Sequence, residues 1–195
     1  MRPAKLTAMF AAIFELMRGG LARAAPNAVE LARLAREHDL PHWRAYGVFL
    51  EGLASAQNGG LEGMRRGIEL LRDQNALMLD GLIKIALADA EARANDVDRA
   101  VAILDDALAM SDRTGQRAFD AELHRVRGEM LLKRDPTNEA LAEEAFKAAI
   151  AVARQQGTRS FELRAALALA KLYQDRKSTR LNSSHLTASR MPSSA

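Results

Sequence analysis

The stretch GQRAFDAELHRVRGEMLL, residues 115–132, decides the architecture, because its pattern returns three more times along the chain. Four residues after Gly115 stands a large apolar residue, Phe119, and thirteen after it a small one, Gly128. The same offsets give Phe161 and Ala170 from Gly157, Leu79 and Ala88 from Asn75, and Trp43 and Gly52 from Asp39. These zero points lie 36, 40 and 42 residues apart. Eleven residues before them stand Ala28, Met64, Leu104 and Phe146; seven before, Ala32, Ile68, Leu108 and Ile150; five before, Leu34, Leu70, Met110 and Val152. Eight before stand Leu31, Gly67, Ala107 and Ala149, mostly small. Apolar residues three and four apart make one stripe on a helix. Each unit therefore reads as a helix, a turn at the zero point and a second helix, with the small residue after the turn letting two helices approach. A period of this length built from two helices marks a helical solenoid. The predicted fold is all-α, a right-handed superhelix of four helical hairpins plus one helix.

Composition agrees with this. Hydrophobic residues make up 48% of the 195, aromatics only 5%, and the bulk is Ala, Leu, Arg and Glu, which are strong helix formers. Long β-branched runs are absent, which argues against a sheet. There is no Cys, hence no disulfide framework and no cysteine metal site, as suits a reducing compartment. The net charge of +3 sits in the tail, where Lys177, Arg180 and Arg190 face no acid; removing them leaves 25 basic and 25 acidic residues in 1–176. That neutral body carries no basic face, so direct nucleic-acid binding is not expected. No apolar run reaches the ~18 residues of a membrane span. Arg2 and Lys5, an apolar run over 6–14, and Ala22-Arg23-Ala24 imitate a signal peptide. Glu15 and Arg18 put charge directly after that run, and Leu6, Met9, Phe10, Ile13 and Met17 fall at helical spacing. The segment therefore reads as an amphipathic helix, and the expected location is cytoplasmic.

In chain order, helices are predicted over 4–18, stopped by Gly19-Gly20, and over 26–38, with Pro26 in the first turn. Asp39-Leu40 is a turn; 42–57 is a helix ended by Asn58-Gly59-Gly60, and 61–73 is its partner. Helices over 76–94 and 97–113 flank Asn95-Asp96; 117–134 ends at Asp135-Pro136; 138–156 starts on Asn138 as cap; and 159–175 is the last. Loops this short make neighbours antiparallel. Residues 1–176 thus form one repeat domain. From Lys177 on, KSTRLNSSHLTASRMPSSA is Ser-rich without acids or a stripe, so 177–195 is expected to be disordered.

Residues with chemistry have plainer readings. His38 and His42 are four apart, but Pro41 breaks the helix that would align them on a metal, and no Glu follows His38. His124 stands near Glu122 on a helix, as a hairpin contact rather than an acid–base pair. The Gly pairs lie in no phosphate-cradling pattern; GxxxxGK[ST], GxSxG and a Cys nucleophile are all missing. Trp43 shares the repeat position of Phe119 and Phe161 and is expected in the core. The pairs Asp105-Asp106 and Glu143-Glu144 read as solvated charge. No catalytic residue, cofactor or metal is predicted. Solenoids work through surface: the first helix of each hairpin lines a groove for a peptide or a neighbouring domain. Arg44, Lys84, Glu122, Arg125 and Arg164 are the candidate groove-lining residues.

LAREHDLPHWRAYGVFLEGLA (34–54), AVAILDDALAMSDRTGQRAFDAELHRVRGEMLL (100–132) and AEEAFKAAIAVARQQGTRSFELRAALALAKLY (142–173) resemble a bacterial tetratricopeptide-like family. The resemblance covers about residues 6–175 and is most specific around AELHRVRGEMLL. In that family the repeats form the C-terminal region of large signalling proteins. They follow an AAA-type ATPase domain, with a class III adenylate or guanylate cyclase, or a winged-helix domain, at the N-terminal end. The resemblance implies a regulatory, protein-binding arm whose partners are protein or peptide segments, including other domains of the parent. It carries over no catalytic residue. A free-standing peptide-binding adaptor and a sensor arm of an ATPase-type transcription regulator are the alternatives. Asp39 and Asn75 stand where the family has Gly; both tolerate a left-handed turn. The family also continues past the last helix, whereas STRLNSSHLTASRMPSSA resembles an adapter- or vector-derived tail. The chain is therefore expected to be a fragment, with Leu163, Leu167 and Leu169 uncovered on the last helix.

Overall fold

A computed structural model describes residues 7, 11, 15, 21–55, 60–74 and 79–188. The described residues form eight bounded helices and no strand, so the chain is all-α: α1 (Leu21–Glu37), α2 (Pro41–Ala54), α3 (Leu61–Asp73), α4 (Asp80–Arg93), α5 (Val97–Thr114), α6 (Asp120–Arg134), α7 (Glu139–Gln156) and α8 (Arg159–Ala188). Thr7, Ala11 and Glu15 are helical, as expected of 4–18; the rest of that segment, Asn58-Gly59 and the turn residue Asn75 lie outside the described residues. No described helix is long and apolar enough to cross a membrane. The chain divides after Phe119 into two compact units.

The three described zero points of the repeat are left-handed turns. Asp39 has φ 45°, Gly115 φ 72° and Gly157 φ 67°. Such a residue ends a helix and turns later N–H groups back onto its last carbonyls. Leu40 N–H donates to Ala35 O at 3.0 Å, and Thr158 N–H to Ala153 O at 2.9 Å. Asn95, φ 70°, closes α4 in the same way, with Asp96 N–H on Glu91 O at 2.9 Å. Asp96 then caps α5, its side chain accepting from Arg99 N–H at 3.0 Å.

Several boundaries differ from expectation. α1 starts at Leu21, so Pro26 lies inside it; the alanine-rich lead-in has no stop signal, and the helix tolerates one missing hydrogen bond. α6 starts at Asp120 rather than at 117, because Arg117 N–H turns back to Gly115 O and Ser111 Oγ donates to Gln116 O, keeping these residues out of the helix. Asn138 makes no side-chain cap bond; Asp135 organises that turn instead, accepting from Thr137 N–H at 2.9 Å and Thr137 Oγ1 at 2.7 Å. The largest difference is α8. It continues as helical backbone to Ala188, across most of the segment expected to be disordered. Residues 176–188 contain neither Gly nor Pro, and a formed helix propagates until something stops it.

In the first unit, α2 packs on α1 and α3, and α5 packs on α4. Leu31, Phe49, Met64, Leu71, Ile83 and Leu87 share one core, with Trp43 and Leu79 against its edge. The repeat's small residues sit where backbones meet. A Cβ on Gly52 would lie 2.5 Å from Met64 N, and one on Gly67 would lie 2.6 Å from Phe49 N. Ala88, at the position of Gly52, is fully buried in α4.

In the second unit, α7 packs against both α6 and α8, and α6 touches α8. Phe146 fills the place of the side chain Gly128 lacks: a Cβ there would lie 2.5 Å from the ring. Phe146 also packs with Ala142 and Leu172, flanked by Ala168 and Leu169. Leu169 is therefore not uncovered, because it faces α7. Leu163 and Leu167 are, at 61% exposure each. Ala170 is exposed too, unlike its counterparts Gly52, Ala88 and Gly128.

Gly52→Ala adds a methyl group against backbone that cannot step aside. Overpacking of ~1–3 kcal/mol outweighs the ~1 kcal/mol gained in helix propensity. Urea unfolding is expected to show a net loss of about 1–2 kcal/mol; an equal or more stable variant would refute the close contact.

Candidate functional site

α3, α4 and α5 enclose a cleft of about 300 Å³ in the first unit. Ile68, Leu87, Ala102 and Ile103 supply its apolar lining; Arg65, Arg72, Lys84, Arg99, Glu69 and Asp106 supply its polar one. The cleft stands on charges taken out of water. Lys84 is 3% exposed, and its Nζ meets Asp106 Oδ2 at 2.8 Å and Asp80 Oδ2 at 3.0 Å. Glu91 is fully buried and accepts a two-pronged hydrogen bond from Arg65, Nε at 2.9 Å and Nη2 at 2.8 Å. Arg99 Nε lies 3.2 Å from Oε1, the oxygen that also accepts from Arg65 Nε. Guanidinium and carboxylate match as planar forks, which favours this geometry in a buried place. The Glu91 carboxylate holds Arg65 above its ordinary pKa. The hydrogen bond from Lys84 holds the Asp106 carboxyl below the usual range, against the opposing effect of burial.

The second unit carries its own charged cluster. Glu122 accepts from Arg125 Nε at 3.0 Å, Arg125 Nη2 at 2.8 Å and Arg164 Nη1 at 3.1 Å. Arg125 also reaches Glu129, at 2.5 Å. Burial works against the Arg125 charge, but Glu122 and Glu129 outweigh it and raise its pKa. Between α7 and α8, Arg176 spans Glu139 at 2.5 Å and Glu143 at 2.8 Å, while Tyr173 Oη donates to Glu143 at 2.8 Å and Lys147 pairs with it at 2.7 Å. Lys147 first, then Arg176 and Tyr173, hold the Glu143 carboxyl down at about 2.

The five groove candidates divide between the units. Arg44 is exposed on α2 and makes no ion pair among the described residues. Lys84 is buried in the base of the cleft, committed to two carboxylates rather than presented to a groove. Glu122, Arg125 and Arg164 come together, but as one another's partners. Asp105, Asp106 and Glu144 are exposed, as expected of solvated charge, with Asp106 also paired to Lys84, whereas Glu143 is half-buried and held by Arg176 of α8. His42 sets its ring edge against Trp43 at 5.2 Å and Tyr46 at 5.3 Å, and His38 is exposed. His124 is half-buried. Among the described residues no three His, Asp or Glu side chains group as metal ligands. Arg65, Glu91 and Arg99 were missed from sequence. The signal was there: Glu91 follows Leu87 by one turn on a buried face, and a carboxylate there needs a cation.

Comparison of the chain with protein-family models, with curated proteins and with solved structures gives no match.

These charges can be tested by their cost and by their pH dependence. Glu91→Gln leaves Arg65 and Arg99 without their buried anion and is expected to cost about 2–4 kcal/mol. Lys84→Met leaves Asp106 half in water but Asp80, only 17% exposed, without its cation, and should cost less than the loss of the fully buried Glu91, about 1–2 kcal/mol. Equal losses in denaturant titration would show that the two pairs are not ranked by burial. Glu143, with its pKa about 2 against an ordinary 4.5, stabilises the α7–α8 contact fully above pH 4.5. That contribution is lost as the pH falls from there through about 2. Carboxyl carbon NMR should find its midpoint near the lower value; a midpoint above ~4 would disprove the clamp.

Proposed function

We propose that this chain is a non-catalytic, tetratricopeptide-like protein-interaction module that binds peptide segments. The observation that carries this reading is the match between repeat position and burial. Met64, Leu104 and Phe146, eleven before their zero points, are all buried to 1% exposure or less. Gly67, Ala107 and Ala149, eight before, are buried as well. Gly52, Ala88 and Gly128, thirteen after, complete each pairing. Burial that tracks the repeat supports stacked hairpins of one kind, whose usual work is recognition.

The cleft between α3, α4 and α5 suits one apolar side chain of a peptide flanked by a carboxylate. Its floor is Ile68, Leu87 and Ile103, and exposed Arg72 lies on its lining. The resemblance of the repeats supports a regulatory arm of a multidomain bacterial signalling ATPase linked to a class III nucleotide cyclase, acting in the cytoplasm. The neutral charge of 1–176 supports protein rather than nucleic acid as the partner.

A library of peptides about 12 residues long displayed on phage, selected on the purified chain, tests the cleft. Enriched peptides are expected to pair a Leu, Ile or Phe with an Asp or Glu. Ala102→Trp, which fills the cleft from an exposed position, and Arg72→Glu should each weaken binding at least ~tenfold by titration calorimetry. Peptides that bind both variants undiminished would place recognition elsewhere.

A further inference from the structure

We infer, resting on the peptide-binding reading of the cleft, that Asp106 stands in for the acid of the bound peptide. The peptide's carboxylate enters by displacing Asp106 from Lys84 and is then held between Lys84 and Arg72. An ammonium as buried as that of Lys84 needs an anion beside it whether or not a ligand is present. It has two, and they differ. Asp80, at 3.0 Å, stands one turn earlier on the same helix, and its side chain is 17% exposed. Asp106, at 2.8 Å, reaches across from α5, and its side chain is 51% exposed. Asp80 therefore belongs to the fixed base of the cleft. Asp106 holds its place from the solvent side, where a carboxylate that lets go is at once hydrated. When it leaves, Asp80 keeps the ammonium neutralised, so the exchange strands no buried charge.

A second cation determines which carboxylate prevails. Arg72 lines the same space, is exposed, and makes no hydrogen bond or ion pair among the described residues. It acts on Asp106 only from a distance. The Lys84 hydrogen bond, opposed by burial, and then the charges of Lys84, Arg72 and Arg113 hold the Asp106 carboxyl below its usual range. A carboxylate arriving on a peptide is not tied to α5. It can set one oxygen on Lys84 and the other on the guanidinium fork of Arg72. The apolar side chain beside it meanwhile covers Ile68, Leu87 and Ile103. Such a ligand gains two cations and an apolar floor, where Asp106 holds one cation. A competitor built into the site lowers apparent affinity by the fraction of time the site is open. Asp106 thereby selects for acid: an apolar segment without a carboxylate cannot replace it on Lys84.

N-acetyl-leucine joins one apolar side chain to one carboxylate, and N-acetyl-leucinamide lacks the carboxylate; these are the probes. Each is titrated into the full chain and followed by the amide NMR shifts of the residues lining the cleft. Asp106→Ala is expected to bind N-acetyl-leucine at least ~tenfold more tightly than the unaltered chain, while the leucinamide binds both alike. Asp106→Glu, which keeps a carboxylate on α5, should show no gain. Lys84→Met added to Asp106→Ala should abolish the gain. Asp106 is exposed, so its substitution spares the fold, and equal affinity for the leucinamide reports an intact cleft. Equal or weaker binding of N-acetyl-leucine by Asp106→Ala overturns the inference. If the probes then still bind, and Ala102→Trp abolishes that binding, the peptide reading of the cleft survives on its own. A gain shared by the leucinamide also overturns the inference, since Asp106 would then merely obstruct the cleft. Binding of neither probe to any form overturns the inference and the reading together.

Discussion

The constraint on which the structure depends is the close approach of helices at places where a side chain is missing. Between α2 and α3 this happens twice, Gly67 lying against the main chain and Cβ of Phe49 and Gly52 against the main chain at Met64. The two contacts are three residues apart on each helix, one turn, and run in opposite directions along the chain. Only an antiparallel pair in a single register satisfies both. A slip of one turn would set Phe49 against a side chain and leave a void beside Gly67, combining overpacking with a cavity. α6 and α7 repeat the device with Gly128 and Phe146. The αL turns at Asp39 and Gly157 then need only reverse the chain, since side-chain volume has already chosen the register.

Once the register is set, the charged residues have little freedom. Lys84 meets Asp106 and Glu91 meets Arg99, seven residues apart on both α4 and α5. Arg154 with Glu162 and Arg176 with Glu139 mark the two ends of the α7–α8 contact in the same sense. Such pairs add little net stability when buried, because desolvation offsets attraction. Their effect is to penalise every other register, in which Glu91 would be buried without a cation and Glu122 would keep only Arg125 of its own helix. Volume and charge thus select the same pairing, and agreement between the two gives a single native arrangement.

Much of this was legible in the sequence, because the repeat reports positions. The offsets that located Gly52, Ala88 and Gly128 marked three buried small residues, and those that located Met64, Leu104 and Phe146 marked three core side chains. What repeat arithmetic does not report is the chemistry put at a position. Seven residues after the zero point stand Tyr46, Leu82, Glu122 and Arg164. The first two join apolar surroundings, whereas Glu122 and Arg164 bond each other, one repeat apart. Taken singly, each looked like a groove charge; their pairing shows only when α6 and α8 lie side by side. Lys84 misled in a related way. Its stem and head are drawn inward by Asp80 and Asp106, of which Asp106 had read as ordinary surface. The cleft itself was illegible, since Arg65, Arg72 and Arg99 come from helices whose faces one sequence does not orient toward a common space.

α8 separates two properties that usually travel together, helicity and burial. Its N-terminal half is packed on one face by Phe146, Leu169 and Leu172, yet the helix runs on to Ala188. The reason for that length is local: Gly115 and Gly157 end helices in this chain, and residues 158–188 contain neither Gly nor Pro. Segment length here is set by stop signals, and segment partnership by where large and small residues alternate. Leu163 and Leu167 belong to the second kind of information. They stand with Ala166 and Ala170 on the exposed face of α8, at the spacing of Ala121 and Arg125 on α6, and the helix forms there without burying them.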